Sequence, residues 1–301
     1  MNFLHQITSH NMQLVLNTFL TFTLYLVIAL SYSLIYYVTK FFHLAHGCII
    51  TCGAYGVLFF TTRCTFSMPL AIALSIVAVT LIGLLCEILV YRPMRKKKVS
   101  SLAYLIASLG IYVVLQNTIA LIFGNDARIL NSSEVSIGHR IGQGYITTVQ
   151  AVLAIVSLLL FLSVTCFLRY TRTGKSVRAV ASNPELCNIY GVRSGSVIII
   201  AFGIGSFIAA IVGILSAMDT SMTPSFGFNL LVYGIVAMIV GGVGSTRGLI
   251  TGSLLVATAQ NLAGYYIDTK WTDAITYLLL IIFLIWRPLG FSGQLLKKVE
   301  L

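Results

Sequence analysis

Two imidazoles offer the first chemistry: His43 and His46 stand three residues apart in the stretch HLAHGCIITCGAYG, residues 43–56. On a helix that spacing puts both rings on one face, and a neutral imidazole can hydrogen-bond a passing solute in either tautomer. His46 could equally bond a neighbouring helix, and His43 could sit at the membrane interface just after Lys40. Cys48 and Cys52 lie close by, and Cys with His makes zinc sites. The two cysteines share a face with each other but not cleanly with the histidines, and no carboxylate accompanies them, so no metal is expected. Two amide pairs, Gln116-Asn117 and Gln260-Asn261, fall inside other apolar runs, where they would touch solute or bond across helices. Glu87, about one turn from Arg92, reads as an interfacial pair. Gly174-Lys175-Ser176 resembles the end of a phosphate loop, but Arg169 holds the place of its first glycine and no strand precedes it. The chain is therefore expected to hydrolyse no ATP itself and to need no cofactor.

The elements that must position these groups lie in the membrane. Of 301 residues, 58% are hydrophobic and only 9% charged, and the mean hydropathy is +0.95. A water-exposed globule could not carry that balance on its surface. Lipid offers backbone groups no partner, so only helices or a closed barrel can span, and the long apolar runs exclude the short alternating pattern of a barrel. The fold class is an all-α, multi-span helical bundle with about 8–10 segments. Nine runs satisfy the pattern, at 13–38, 41–60, 68–91, 102–123, 149–168, 197–218, 230–240, 249–265 and 274–286, the seventh being short by itself. The first lacks a basic leader and a small-residue cleavage site, so it is expected to be retained. The six cysteines are scattered without disulfide or zinc spacing.

Alternating spans place Lys40, Arg92, Arg95, Lys96, Lys97, Lys98, Arg169, Arg172, Lys175, Arg178, Arg193, Arg247, Arg287, Lys297 and Lys298 on one side. Arg63, Arg128, Arg140 and Lys270 fall on the other, with Asp126, Glu134, Asp219, Asp268 and Asp273. Positive loops stay in the cytoplasm, so the N-terminus is expected outside and the C-terminus inside. The formal charge of +11 then belongs to these loops and calls for no nucleic acid. Two glycine-rich stretches, 43–56 and 239–252, interrupt the apolar pattern. Such breaks line substrate paths in transporters, although small residues also allow close helix packing. The candidate path comprises His43, His46, Gly47 and Tyr55, then Gln116 and Asn117, then Gly241, Gly242 and Gly244.

Several ordered motifs carry a family resemblance: LAHGCIITCGAYG (44–56), YRPMR (91–95), LIASLGIYVVLQNTIALIFG (105–124), TRTGKSVRAVASNPELCNIYGV (171–192), PSFGFNLLVYGIVAMIVGGVGSTRGLITG (224–252) and WRPLGFSG (286–293). From about residue 16 to 293 the chain resembles the membrane permeases of branched-chain amino acid ABC importers. Two positions depart from the pattern. His43 stands where the family often has Asn, and Cys48 stands where it often has an acidic residue. Both lie in the candidate path, so the resemblance speaks more for the transport architecture than for the cargo.

In the segment 169–194, Asn183 can cap a helix, Pro184 fits its first turn, Glu185 complements its positive end, and Gly191 stops it. The resemblance identifies this short helix as the coupling helix that docks on an ATPase, with Leu186, Ile189 and Tyr190 as its contact face and Arg172, Lys175 and Arg178 flanking. The alternative is a helix lying on lipid headgroups. The resemblance further implies one transmembrane permease domain over 1–301 in a bacterial inner membrane, built like a type II ABC importer. Its partners would be two ABC ATPase subunits, a second related or identical permease, and a periplasmic or lipid-tethered binding protein. Urea, amides, other amino acids or sugars are rival cargoes, and a stand-alone channel, an ion-coupled carrier or a membrane scaffold are rival classes. The sequon at 131–133 carries no meaning in a bacterial-type permease.

Overall fold

The structure is a computed structural model that describes residues 2–130 and 138–292, with side chains from residue 11 onward. The sequon at 131–133, Glu134, Gly293, Lys297 and Lys298 lie outside the described residues. Each of the nine apolar runs holds one helix: α1 (Asn2–Thr39), α2 (His46–Thr62), α3 (Met68–Leu85), α5 (Ser101–Phe123), α6 (Thr148–Tyr170), α9 (Ser194–Asp219), α10 (Phe226–Gly241), α11 (Thr246–Tyr266) and α12 (Thr272–Trp286). Among the described residues, six helices are long and apolar enough to cross a membrane, and α2 and α10 are shorter apolar ones.

α3 continues through a π-helical segment, Cys86–Tyr91, into α4 (Arg92–Lys96). Pro93 at the start of α4 has no N–H to donate, and the wider π turn absorbs that interruption. Between α5 and α6 lies a hairpin, β1 (Gly138–Ile141) with β2 (Gly144–Thr147), whose two-residue turn places Gly142 at φ +61°. α7 (Arg172–Ser182) and α8 (Pro184–Ile189) fill the segment before α9.

The bundle has two chemically different ends. Lys40, the α3–α5 connection with Arg92 to Lys98, α7, α8, the α10–α11 turn and Arg287 gather at one, here called the basic end. The start of α1 lies at the other, where Gln13 Nε2 donates to the Tyr145 carbonyl of β2 at 3.1 Å.

The two halves of the chain run in opposite senses. α1 and α9 form the central pair, α9 packing on α2 and α3 as α1 packs on α10 and α11. After α1 the chain turns back from the basic end through the non-helical residues 40–45 before α2 begins. After α9 it turns back from the opposite end through residues 220–225 before α10 begins. With 17 residues in α2 and 16 in α10, each reaches only about 25 Å at 1.5 Å per residue, short of a core of about 30 Å. Both breaks are therefore part of the crossing. The two helix starts meet inside the bundle, where the Gly227 N–H donates to Thr51 Oγ1 at 3.3 Å. The second interruption was expected at 239–252. That stretch is instead the end of α10, a tight turn at the basic end and the start of α11, while Thr220 to Pro224 form the break.

Glycine makes the crossings dense: a β-carbon on Gly53 of α2 would stand 2.6 Å from the Ala210 carbonyl oxygen of α9. Gly53→Val should lower thermal stability of the detergent-solubilised protein by about 1–3 kcal/mol or more, because the obstruction is backbone. Gly110 on α5 has nothing within 4 Å of an added methyl, so Gly110→Ala should leave stability unchanged or raise it by up to about 1 kcal/mol through helix propensity. Thermal unfolding followed by size-exclusion recovery measures both.

Candidate functional site

The break at 40–45 is fastened from three sides. The Ala45 N–H donates to Ser108 Oγ of α5 at 3.0 Å, Phe41 stacks on Tyr104 with ring centroids 4.8 Å apart, and His43 Nδ1 lies 2.9 Å from the Tyr91 hydroxyl of the π segment. His43 is fully buried within the protein. His46 is also fully buried, with Nε2 3.0 Å from Ser31 Oγ of α1. The Ser31 hydroxyl also lies 3.0 Å from the Ile28 carbonyl. The two rings are 5.7 Å apart. His43 Nε2 and His46 Nδ1 are both buried without a hydrogen-bond partner among the described residues. Such groups are costly, and they mark the spot as one where packing is not the whole design.

The remaining expected path residues divide into groups. Gly47 packs backbone to backbone against Gly227 and Phe228 of α10, and Tyr55 is buried beside Phe123 of α5. Gln116 and Asn117 lie on α5, the first half-buried and the second exposed. Asn117 Nδ2 returns to the Val113 carbonyl at 2.8 Å. Gly241 and Gly242 are buried at the end of α10, and Gly244 lies against Tyr37 in the turn that follows, at φ +82°. The structure thus brings His43, His46 and Gly47 together, holds Gln116 and Asn117 on a separate accessible helix, and puts Gly241, Gly242 and Gly244 at the basic end.

The amide pair on α11 binds helices together. Gln260 accepts from the Tyr25 hydroxyl of α1 and donates to Thr276 of α12 at 2.6 Å, while Asn261 donates to Thr21 of α1 at 3.2 Å. Tyr233 of α10 donates to Asp273 at 2.5 Å. Thr21, Tyr25, Tyr233, Gln260 and Asn261 border a polar cavity of about 450 Å³ at the end opposite the basic loops.

Glu87 is not paired with Arg92. Its carboxylate is fully buried and takes a bidentate bond from Arg95, Nη1 at 2.9 Å and Nη2 at 2.8 and 3.0 Å. The π segment between them alters the helical phase, so residues eight apart meet where an unbroken helix would have favoured a nearer partner.

At the basic end, the Asn183 side chain accepts from the Leu186 N–H at 2.9 Å, and Gly191, at φ +83°, ends the turn after α8. Leu186, Ile189 and Tyr190 are 49%, 80% and 79% exposed, a run of apolar side chains facing away from the bundle. α7 carries the other face: Gly174, Val177, Val180 and Ala181 are buried against α6 and α9. Lys175 and Ser176 thus lie within a packed helix rather than a phosphate loop. α7 was not foreseen, although Thr171 capping the Gly174 N–H at 2.9 Å and the buried 174, 177, 181 spacing were its signals.

A multi-span helical bundle with two broken spans meeting inside it has the build of a membrane transport protein. Residues 14–284 match the family model described as branched-chain amino acid transport system / permease component. The chain is 31% identical over 284 residues to the high-affinity branched-chain amino acid transport system permease protein LivH of Escherichia coli, covering 90% of this chain and 91% of that one. It is 27% identical over 298 residues to the permease protein BraD of Pseudomonas aeruginosa, covering 95% and 96%. Over 120 residues it is 35% identical to the xylose transport system permease protein XylH of Haemophilus influenzae, covering 38% and 30%. No solved structure matches. The chain belongs to the branched-chain amino acid transport permease family.

Arg95→Met should strand a buried carboxylate and cost stability at the low end of the roughly 3–5 kcal/mol typical of a broken buried pair, since Arg95 itself keeps some access to water. Adding Glu87→Gln should recover part of that loss in the same thermal assay.

Proposed function

We propose that this permease is the pore-forming subunit of an ATP-driven ABC importer that moves branched-chain amino acids inward by alternating access. The observation that carries the reading is α8: a capped six-residue helix beyond the membrane helices, presenting Leu186, Ile189 and its C-cap Tyr190 outward. Three apolar side chains exposed to water at the tip of a packed helix pair suit a protein partner. Their fastening through α7 to α6 and α9 would carry a displacement of α8 into the central pair. An interfacial helix on lipid would satisfy the same side chains, but would not need α7 to tie it to the transport core.

In this reading the basic end faces the cytoplasm, the N-terminus lies outside in a bacterial inner membrane, and two ATPase subunits bind at α8. Arg178, Asn183, Pro184, Glu185 and Gly191 shape and flank the contact. A second related or identical permease would cover α5 and α12, whose outer faces stay open, with Leu121 88% and Ile285 71% exposed. A periplasmic or lipid-tethered binding protein would deliver cargo to the opposite end. The solute path would run along the Gln116 and Asn117 face of α5 and past the α2–α10 meeting point, where His43, His46, Gly47 and Tyr55 stand behind it. Gly241, Gly242 and Gly244 would act as a hinge at its inner end. Binding of ATP would close the ATPase dimer and move α8.

The cargo assignment rests on the relatives that match over nearly the whole chain. The shorter match to a xylose permease keeps sugars as the rival cargo, alongside urea, amides and other amino acids. A stand-alone carrier is disfavoured because the buried carboxylate Glu87 is already held by Arg95, which leaves it unsuited to carrying a coupling ion.

The test is ATP-dependent uptake of labelled leucine in proteoliposomes containing the chain and its co-purifying subunits. Glu185→Lys should reduce uptake at least tenfold with the complex still assembled. ATPase activity without leucine uptake would discard the cargo and keep the importer, and uptake by this chain alone would overturn the importer.

A further inference from the structure

At the basic end, α1, α6, α7 and the α10–α11 turn enclose a cavity of about 540 Å³. Arg169, Arg178 and Arg247 line it, with the hydroxyl side chains of Ser245 and Thr246, and no carboxylate does. None of the three guanidinium groups is in an ion pair among the described residues, where the recorded pair is Arg95 with Glu87. The Thr165 hydroxyl is also buried in this wall without a partner among the described residues. All three arginines are exposed, Arg169 with its guanidinium 5.5 Å from the Tyr170 ring centroid, and an anion placed among them would take charge-assisted hydrogen bonds from them.

Arg247 begins a stripe on α11 that continues through Thr251, Leu254, Thr258 and Leu262, spaced by fours and threes so that all share one helix face. The last four line a separate apolar groove of about 560 Å³. From Arg247 to Leu262 the stripe rises about 22 Å, longer than half of a hydrocarbon core of about 30 Å. The two spaces share no lining residue, but the groove begins at Thr251, one turn beyond Arg247, and a cationic seat one turn from an apolar groove of that length suits a phosphate head carrying an acyl chain.

We propose that this cavity is a binding site for one anionic phospholipid, its phosphate held by Arg169, Arg178 and Arg247 and one acyl chain laid along the Arg247–Leu262 stripe of α11. The site lies apart from the apolar face of α8 and from the α2–α10 meeting point, but Arg178 and Gly244 line it and also serve the proposed coupling contact and inner hinge, so the tests rest on Arg169 and Arg247. A lipid held there bridges α1, α6, α7 and α11.

The full chain with its co-purifying subunits, stripped of lipid in mild detergent, is titrated with phosphatidylglycerol, phosphatidylcholine and inorganic phosphate and read by native mass spectrometry. Phosphatidylglycerol should bind at least tenfold tighter than phosphatidylcholine, and the Arg169→Gln/Arg247→Gln double variant should lose that margin. Lys96→Gln/Lys97→Gln, equally basic but outside the cavity, should keep it. Leu254→Ser leaves every charge in place and should weaken phosphatidylglycerol while leaving phosphate unaffected; it decides the matter if the arginine variant does not elute as a single species. Equal losses in the lysine control would reduce the effect to general surface charge and overturn the site. Inorganic phosphate displacing the lipid at millimolar concentration would make it a free-anion site instead. An arginine variant that keeps its lipid but sheds a soluble subunit would assign the cavity to a protein partner and contradict the proposal.

Discussion

Backbone contact at glycine is the constraint on which the rest of this structure depends. A hydrocarbon core leaves no water for an unpaired N–H or C=O, so a broken span survives only where protein supplies the partners. Here Gly47 and Gly227 let the starts of α2 and α10 approach to backbone contact, and Gly53 does the same for α2 against α9. Ser108 and Thr51 then take up N–H groups that the breaks would otherwise strand. Remove the close approach and the side-chain acceptors no longer reach, so packing and hydrogen-bond satisfaction stand or fall together.

That arrangement divides the molecule into a dense centre and loose flanks. α1, α2, α9 and α10 carry most of the buried residues, whereas α5 and α12, the last helices of the two opposed halves, keep broad exposed faces. A membrane helix whose exposed face includes Gly110, Asn117 and Thr118 is poorly suited to lipid alone and well suited to a second subunit. The basic end has a different task. α7 packs against the spans through small and branched residues while α8 projects apolar side chains outward, so force applied at α8 has a rigid route to α6 and α9.

The spans and the separation of charge between the two ends were legible in the sequence, because run length and loop Lys and Arg report on the bilayer directly; the first break, expected at 43–56, falls at 40–45, and residues 46–56 belong to the unbroken α2. The cap at Asn183 was legible for a local reason: Asn, Pro and Glu in that order satisfy a helix start on their own. The misplaced features were set by tertiary context. Arg95 rather than Arg92 meets Glu87 because a π segment changes the phase. The second break falls at Thr220 to Pro224 rather than among the glycines of 239–252, since those glycines serve helix packing and a turn; Pro224 amid polar residues was the overlooked sign. The hairpin at 138–147 had its own signal in Gly142 between alternating residues, too short to weigh against the long apolar runs around it.

The central claim is that α8 is where an ATPase subunit engages the permease. A photo-crosslinking amino acid placed at Ile189, with a second at Lys97 as a control on the same end, measures that contact in the assembled complex. The expected result is a cross-link from position 189 to an ATPase subunit whose yield changes on addition of ATP, with little from position 97. Cross-links from position 189 to lipid only, with and without ATP, would contradict it.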